Sequence, residues 1–314
     1  MQLEMFAPPP EGIGPAAAAD DFLELARRLP VGLRLGTSSW AFPGWAGIVY
    51  DRRAAESDLA RKGLAAYGAH PLLRTVGVDR TFHAPVGADV YADYAGAVPE
   101  DFRFLVKAPA DCTTPHWHER TGRPQGDNPR FLNAEWAARF FVEPCVQGLG
   151  IKAGPLVFQF PPLPRPWSRE PQRFAAALSR FLGALPRGPL YAVELRNAEL
   201  LTGDYAAALA GSGAVHCVGV HPRMPAVSTQ RALAPHGALV ARWNLHAGFQ
   251  YEEAKARYAP FDRLVDEDPA TRAELAQLAR EALAAGEPAY LVANNKAEGS
   301  APLTAFKLAA AIAG

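Results

Sequence analysis

What most restricts the fold of this chain is a recurring pattern: short, continuously apolar runs separated by loops and Ala-rich helical stretches. The runs fall at Leu33–Ser38, Leu73–Val78, Phe102–Ala108, Pro155–Phe160, Leu190–Leu195, Val215–Val220, Ala238–Trp243 and Ala289–Asn294. Most show no apolar–polar alternation. A strand that is apolar on both faces is covered on both faces, as in a parallel sheet packed between helices. Helical patterns follow most runs, at Ser57–Tyr67, Val90–Gly96, Asn133–Leu149, Glu170–Leu182, Gly203–Ala210, Pro269–Ala285 and Ala301–Ala313. Ser228–Leu233 is a weaker, shorter candidate. Eight such units in about 280 residues predict a (β/α)8 TIM-like barrel over residues 33–314. A doubly wound open sheet is the alternative, but its Gly-rich phosphate turn, GxGxxG, is missing after the first run.

Residues 1–32 read as an N-terminal extension with one helix. Pro8-Pro9-Pro10 through Pro15 interrupts regular structure. Ala16–Leu29 then places Phe22, Leu25, Ala26 and Leu29 on one helical face.

The 314 residues carry 32 basic and 32 acidic side chains, so the formal net charge is zero. A dedicated nucleic-acid binder carries a basic surplus, and this balance does not favour one. No apolar run is long enough for a membrane span, and the N-terminus lacks the pattern of a secretory leader. Three cysteines, Cys112, Cys145 and Cys217, make neither a disulfide framework nor a zinc ribbon. These features predict a cytoplasmic protein with free thiols.

Barrel active sites lie at the C-terminal strand ends, and here nearly every run ends in a polar side chain. Thr37, Ser38 and Trp40 follow the first run, Asp79, Arg80 and His83 the second, and Lys107 ends the third. Gln159, Glu194 with Arg196, and His221 mark the next three. Arg242, Asn244 and His246 close the seventh, and Asn294, Asn295 and Lys296 the eighth. Lys107 and Glu194 stand out, because a charge inside an apolar run needs a partner or a purpose. An internal Lys107–Glu194 salt bridge is one reading. A lysine beside a carboxylate with shifted pKa values is the other. The His116-Trp117-His118 triplet is a candidate divalent-metal pair, completed by Glu194, Asp79 or His246. Trp40, Phe42 and Trp45 either cap the barrel or stack on a sugar or base.

Six segments then occur in order: GTSSWAFPGW at 36–45, TFHAP at 81–85, FRFLVKAP at 102–109, LVFQFPPLP at 156–164, YAVELRN at 191–197 and NNKAEGSAPLTA at 294–305. Together they resemble the YecE-like family, domain of unknown function family 72, over roughly residues 33–312. The resemblance implies a TIM-like barrel and no particular activity. Its motif positions map onto Gly36, Thr37 and Ser38, onto Lys107, onto Thr114 and His116, and onto Phe158 to Pro162. They continue at Glu194 and Arg196, at Arg242 and loosely His246, and at Asn294, Asn295, Gly299 and Ala301. The chain departs from the family pattern at Gly77 and Asp79, where a glutamate and an asparagine are usual. It departs again at His221, where an acidic residue is usual.

Three functional classes follow. In the first, an enzyme performs acid–base chemistry of the hydrolase, lyase or isomerase type on a phosphorylated or carboxylated small molecule, such as a sugar derivative. Glu194 is then the general acid or base, with His116 beside it, Lys107 the electrostatic stabiliser, and Arg196 and Arg242 the anion clamp. Thr37, Ser38, Trp40, Asp79, Gln159, His246, Asn294 and Asn295 complete the pocket. The second class is a non-catalytic barrel that binds a ligand or a nucleic acid at the same mouth. In the third, the polar residues only stabilise the barrel.

Overall fold

The computed structural model describes residues 12–118 and 124–314. Eight parallel strands close into a barrel: β1 (Leu33–Thr37), β2 (Thr75–Val78), β3 (Arg103–Lys107), β6 (Ala153–Gln159), β7 (Tyr191–Glu194), β8 (Val215–Val220), β9 (Leu239–Trp243) and β10 (Ala289–Ala293). Each pairs with its chain neighbour in the barrel, and β1 closes on β10 with Leu33 opposite Ala289 and Thr37 opposite Ala293. Two further strands, β4 (His116–His118) and β5 (Pro124–Asp127), form a separate antiparallel pair after β3. Helices follow the barrel strands, ending with Ala301–Ala313, so the architecture is a (β/α)8 TIM-like barrel.

The strands are buried nearly throughout, which is why their sequences read as unbroken apolar runs. One face of each packs on the helical ring, in a core that includes Phe104, Phe158, Leu239 and Leu291. The other face fills the lumen. Leu105, Val157, Ala192, Cys217, Val240 and Val292 form an apolar plug there. Side chains alternate along a strand, so the next inward position is two residues further on. Those positions are Lys107, Gln159, Glu194, Gly219, Arg242 and Asn294. The lumen thus changes from apolar to charged within one step along the strands.

Close approach explains two glycines. A Cβ on Gly36 would fall 1.8 Å from the Thr75 carbonyl oxygen, so β1 and β2 meet only through a glycine. A Cβ on Gly219 would lie 3.1 Å from Arg196 Nη1 and 3.4 Å from Glu194 Oε1. The missing side chain leaves room for that ion pair.

Several boundaries differ from the sequence-based expectation. The N-terminal helix spans Asp20–Arg28, shorter than Ala16–Leu29, because Ala16 bonds instead to the Val49 carbonyl. It docks through Phe22, whose ring packs on Phe306 and His70. Residues 1–11, including the proline run, lie outside the described residues. The helix expected over Ser57–Tyr67 is two, Glu56–Lys62 and Leu64–Gly68, divided at Gly63. The one expected over Asn133–Leu149 contains a π-helical stretch, Ala138–Val142. Pro144 lies two residues beyond its end and has no N–H to give the preceding turn. Tyr251–Tyr258 is a further helix that the periodicity did not reveal. No helix among the described residues is long and apolar enough to cross a membrane.

Candidate functional site

At the C-terminal end of the barrel the charged layer opens into a cavity of about 400 Å³. Asp79, Lys107, Gln159, Arg196, Arg242 and Asn294, all foreseen from the sequence, line it. Ligand sites are typically concave and of this size.

The floor is held by one carboxylate. Glu194 is fully buried. Its Oε2 accepts from Arg242 Nη1 at 2.7 Å, and its Oε1 pairs with Arg196 Nη1 and accepts from Asn244 Nδ2 at 3.0 Å. Burial alone would raise this carboxyl, but the Arg196 and Arg242 guanidiniums outweigh it and hold it down at about 2. Arg242, 3% exposed, turns its other nitrogen to Asp79, with Nη2 2.9 Å from Oδ1 and 2.7 Å from Oδ2. The result is a chain Asp79–Arg242–Glu194–Arg196 built from β7, β9 and the ends of β2 and β7. Every acceptor of Glu194 is engaged and none faces the cavity, so this carboxylate orients arginines.

The Lys107–Glu194 ion pair considered from the sequence does not form. Lys107 Nζ instead lies 3.6 Å from the centroid of the Phe82 ring and has no hydrogen-bond or ion-pair partner among the described residues. Burial lowers its pKa, offset in part by Asp79 and Glu194, and it settles at about 8. Lys296, 7% exposed, is similarly placed, with Nζ 4.2 Å from the Tyr251 ring centroid and no acceptor among the described residues. Gln159 likewise leaves its amide unbonded by described residues. His221, at the wall, accepts from the Arg223 backbone N–H at Nδ1, which leaves Nε2–H as a donor. Burial and then Arg196 depress its pKa to about 4, so it is neutral at pH 7.

Other expected site residues are placed elsewhere. Thr37 is sealed against Tyr67, its Oγ1 2.8 Å from the tyrosine hydroxyl. Trp40 is buried, with Nε1 donating to the Leu59 carbonyl at 3.2 Å, so its face is not free to stack on a ligand. Asn295 is 1% exposed and accepts from Trp45 Nε1 and the Ala301 N–H, fastening the last loop to the final helix. Ser38 reaches the site only indirectly, accepting from Asn294 Nδ2 at 2.8 Å. His246 lies outside the cavity lining, against Phe249. His116 is also outside it, with Nδ1 3.1 Å from Asp127 across the β4–β5 pair. Among the described residues, no three His, Cys, Asp or Glu side chains gather as a metal site. The His118 side chain lies outside them. Each of these residues sits near a strand end, but position alone does not say which way a side chain turns. Of the two rings that support the lysines, Phe82 lies in the TFHAP segment, though without an assigned role, and Tyr251 carries no sequence signal beyond its aromaticity. His83, His221, Asn244 and Lys296 were visible as polar strand ends, though without an assigned role.

The sequence matches the family model described as "Protein of unknown function DUF72" over residues 34–314. A comparison with curated proteins finds no significant match. Among solved structures, the chain is similar to a DUF72 family protein from Enterococcus faecalis V583, at 17% identity and a TM-score of 0.60, covering 89% of this chain and 95% of that one. It is also similar to a DUF72 family protein from Thermotoga maritima MSB8, at 20% identity and a TM-score of 0.56, covering 88% and 97%. At these identities the structural likeness speaks for the shared barrel. With the family model spanning the whole barrel, the chain belongs to the DUF72 family of proteins of unknown function.

Proposed function

We propose that the barrel mouth binds a small carboxylated or phosphorylated molecule and carries out acid–base chemistry on it. The observation that supports this most directly is the imbalance of charge around the cavity. Lys107, Lys296, Arg196 and Arg242 line it against one carboxylate, Asp79, which Arg242 already engages. Two of those cations have no anionic partner, and desolvated unpaired ammonium groups are costly unless a ligand supplies the charge. Arg196 contributes one nitrogen to Glu194, so its remaining N–H groups can meet an oxyanion. Glu194 serves in this reading as the anchor that aims Arg196 and Arg242. Proton transfer falls to groups with free valence: Lys107, Asp79 and His221. A cavity of this size at the barrel mouth suits a small molecule better than a nucleic-acid strand. The three free, buried thiols suit a reducing compartment such as the cytoplasm.

Isothermal titration with inorganic phosphate, 3-phosphoglycerate and glycerol tests the reading. The two anions are expected to bind and glycerol not to. Arg196→Gln and Lys296→Gln should each weaken binding by about tenfold, the loss of roughly one charge-assisted contact. Equal response to glycerol, or indifference to both substitutions, would remove the anion site.

A further inference from the structure

Lys107 sits in surroundings that suit a nucleophile. It ends β3 at the floor of the cavity, near the Asp79 carboxylate and the Arg242 and Arg196 guanidiniums, and rests on the face of Phe82. No described carboxylate touches its nitrogen. Hydrophobic contact on one side and cationic neighbours on the other are the two conditions that make a lysine nucleophilic. The arginines that surround it are also where a substrate's anionic group would anchor. An anion seated there leaves the adjoining carbon facing the lysine. We propose that Lys107 forms an imine with the carbonyl carbon of an aldehyde or ketone that also carries a carboxylate or phosphate.

The step balances without an added oxidant or reductant. The neutral Nζ donates its lone pair to the carbonyl carbon, a C–N bond forms, and the carbonyl π electrons move to oxygen. A proton passes from nitrogen to that oxygen, giving a carbinolamine. The C–O bond then breaks, the oxygen leaves as water with one further proton, and the nitrogen lone pair closes the C=N bond. Asp79, the carboxylate on the cavity wall, relays these protons between nitrogen, oxygen and solvent. With its pKa lowered to about 8, Lys107 is neutral in about a tenth of molecules at pH 7, against a few in ten thousand for an ordinary lysine. Lys296, on a loop against Tyr251, shares the cavity and is the internal control.

This inference rests on the anion-binding reading for its substrate class, and the test separates the two. The full-length protein is incubated with sodium cyanoborohydride, which reduces an iminium to a stable secondary amine. The carbonyl probes are pyruvate, dihydroxyacetone phosphate and acetone, and adducts are mapped by peptide mass spectrometry. Lys107 is expected to label at least tenfold faster than exposed Lys62 or Lys255 with the two anionic probes, with a pH midpoint near 8. Inorganic phosphate should slow it, and Lys107→Arg should abolish it. Labelling at Lys107 no faster than at Lys62, or concentrated at Lys296, would overturn the imine while leaving measured phosphate binding intact. Equal labelling of Lys107 by acetone and pyruvate, with no phosphate binding, would keep the imine and overturn the anion site. The comparison among lysines of the wild-type chain decides the matter even if Lys107→Arg fails to fold.

Discussion

Two polar networks are buried on opposite faces of the same barrel sheet, and only one of them has anything left to offer a ligand. Outside the barrel, His216 of β8 sits 2.8 Å from the Tyr205 hydroxyl through Nδ1 and 3.0 Å from Gln230 Oε1 through Nε2. Gln230 also receives the Gly219 N–H and donates to the Gly219 and Pro225 carbonyls. The Gln230 acceptor leaves Nε2 of His216 as the donor, so the ring is a neutral tautomer with both nitrogens used. Inside the barrel, Glu194 is just as completely satisfied, yet the network ends in Arg196, Asp79 and an unpaired Lys107 that open into a cavity. Burial and hydrogen bonding are common to both. Residual valence facing an open volume distinguishes the site.

The largest effect should come from the inner network. Glu194→Ala leaves two buried guanidiniums without their carboxylate and should cost about 3–5 kcal/mol in urea unfolding. A cost under about 1 kcal/mol would mean that the arginines repair themselves, and the site would not depend on this anchor. Next comes acidification. Burial depresses His216 from 6.5 to about 4. Between those values the folded state binds fewer protons than the unfolded chain, so stability is full above pH 6.5 and is lost as pH falls toward 4. The loss is of order 3 kcal/mol and should flatten in His216→Gln, as read from unfolding midpoints across that range. Buried His70 and half-buried His221, also lowered to about 4, keep part of the slope. Glu194 acts in a separate, lower window, between its unfolded value of 4.5 and about 2. Third, Gln230→Ala should cost about 1–3 kcal/mol by stranding the Gly219 backbone, with phosphate affinity unchanged within about twofold. Loss of phosphate binding in that variant would erase the distinction between the two faces. Last is Lys107→Met, which should hold or raise stability, because the wild-type ammonium has no ion pair to lose and the cost of its burial is relieved. A large destabilisation there would show that Lys107 is structural.

The barrel was legible because parallel strands buried on both faces leave unmistakable runs, such as Val215–Val220 and Leu239–Trp243. The charged floor was legible too, since Lys107, Gln159, Glu194 and Arg242 interrupt those runs at their C-terminal ends. Who pairs with whom was not. Glu194 selects Arg242 and Arg196 over Lys107 through the stagger of β3, β7 and β9, and stagger is a property of barrel closure rather than of any local segment. Thr37, Trp40 and Asn295 lie outside the cavity for two reasons. Thr37 is still paired in β1 and falls on the face of Leu33 and Leu35, which pack on the helical ring. Past the last paired residue the alternation lapses, and loop geometry turns Trp40 and Asn295 into the layer between strands and helices. The β4–β5 pair escaped notice because its residues, His116–His118 and Pro124–Asp127, lack the β-branched pattern of a strand.

The apolar plug beneath the site has a kinetic consequence. Leu105, Val157, Ala192, Cys217, Val240 and Val292 close the lumen with low-polarisability material directly under a cluster of positive charge. Field lines from those charges spread poorly through such a medium and leave by the open end into solvent. On the proposed anion-binding reading, a negatively charged molecule should therefore be drawn in before it makes contact. Its association rate should fall as ionic strength shortens the reach of that field, while its dissociation rate stays nearly constant.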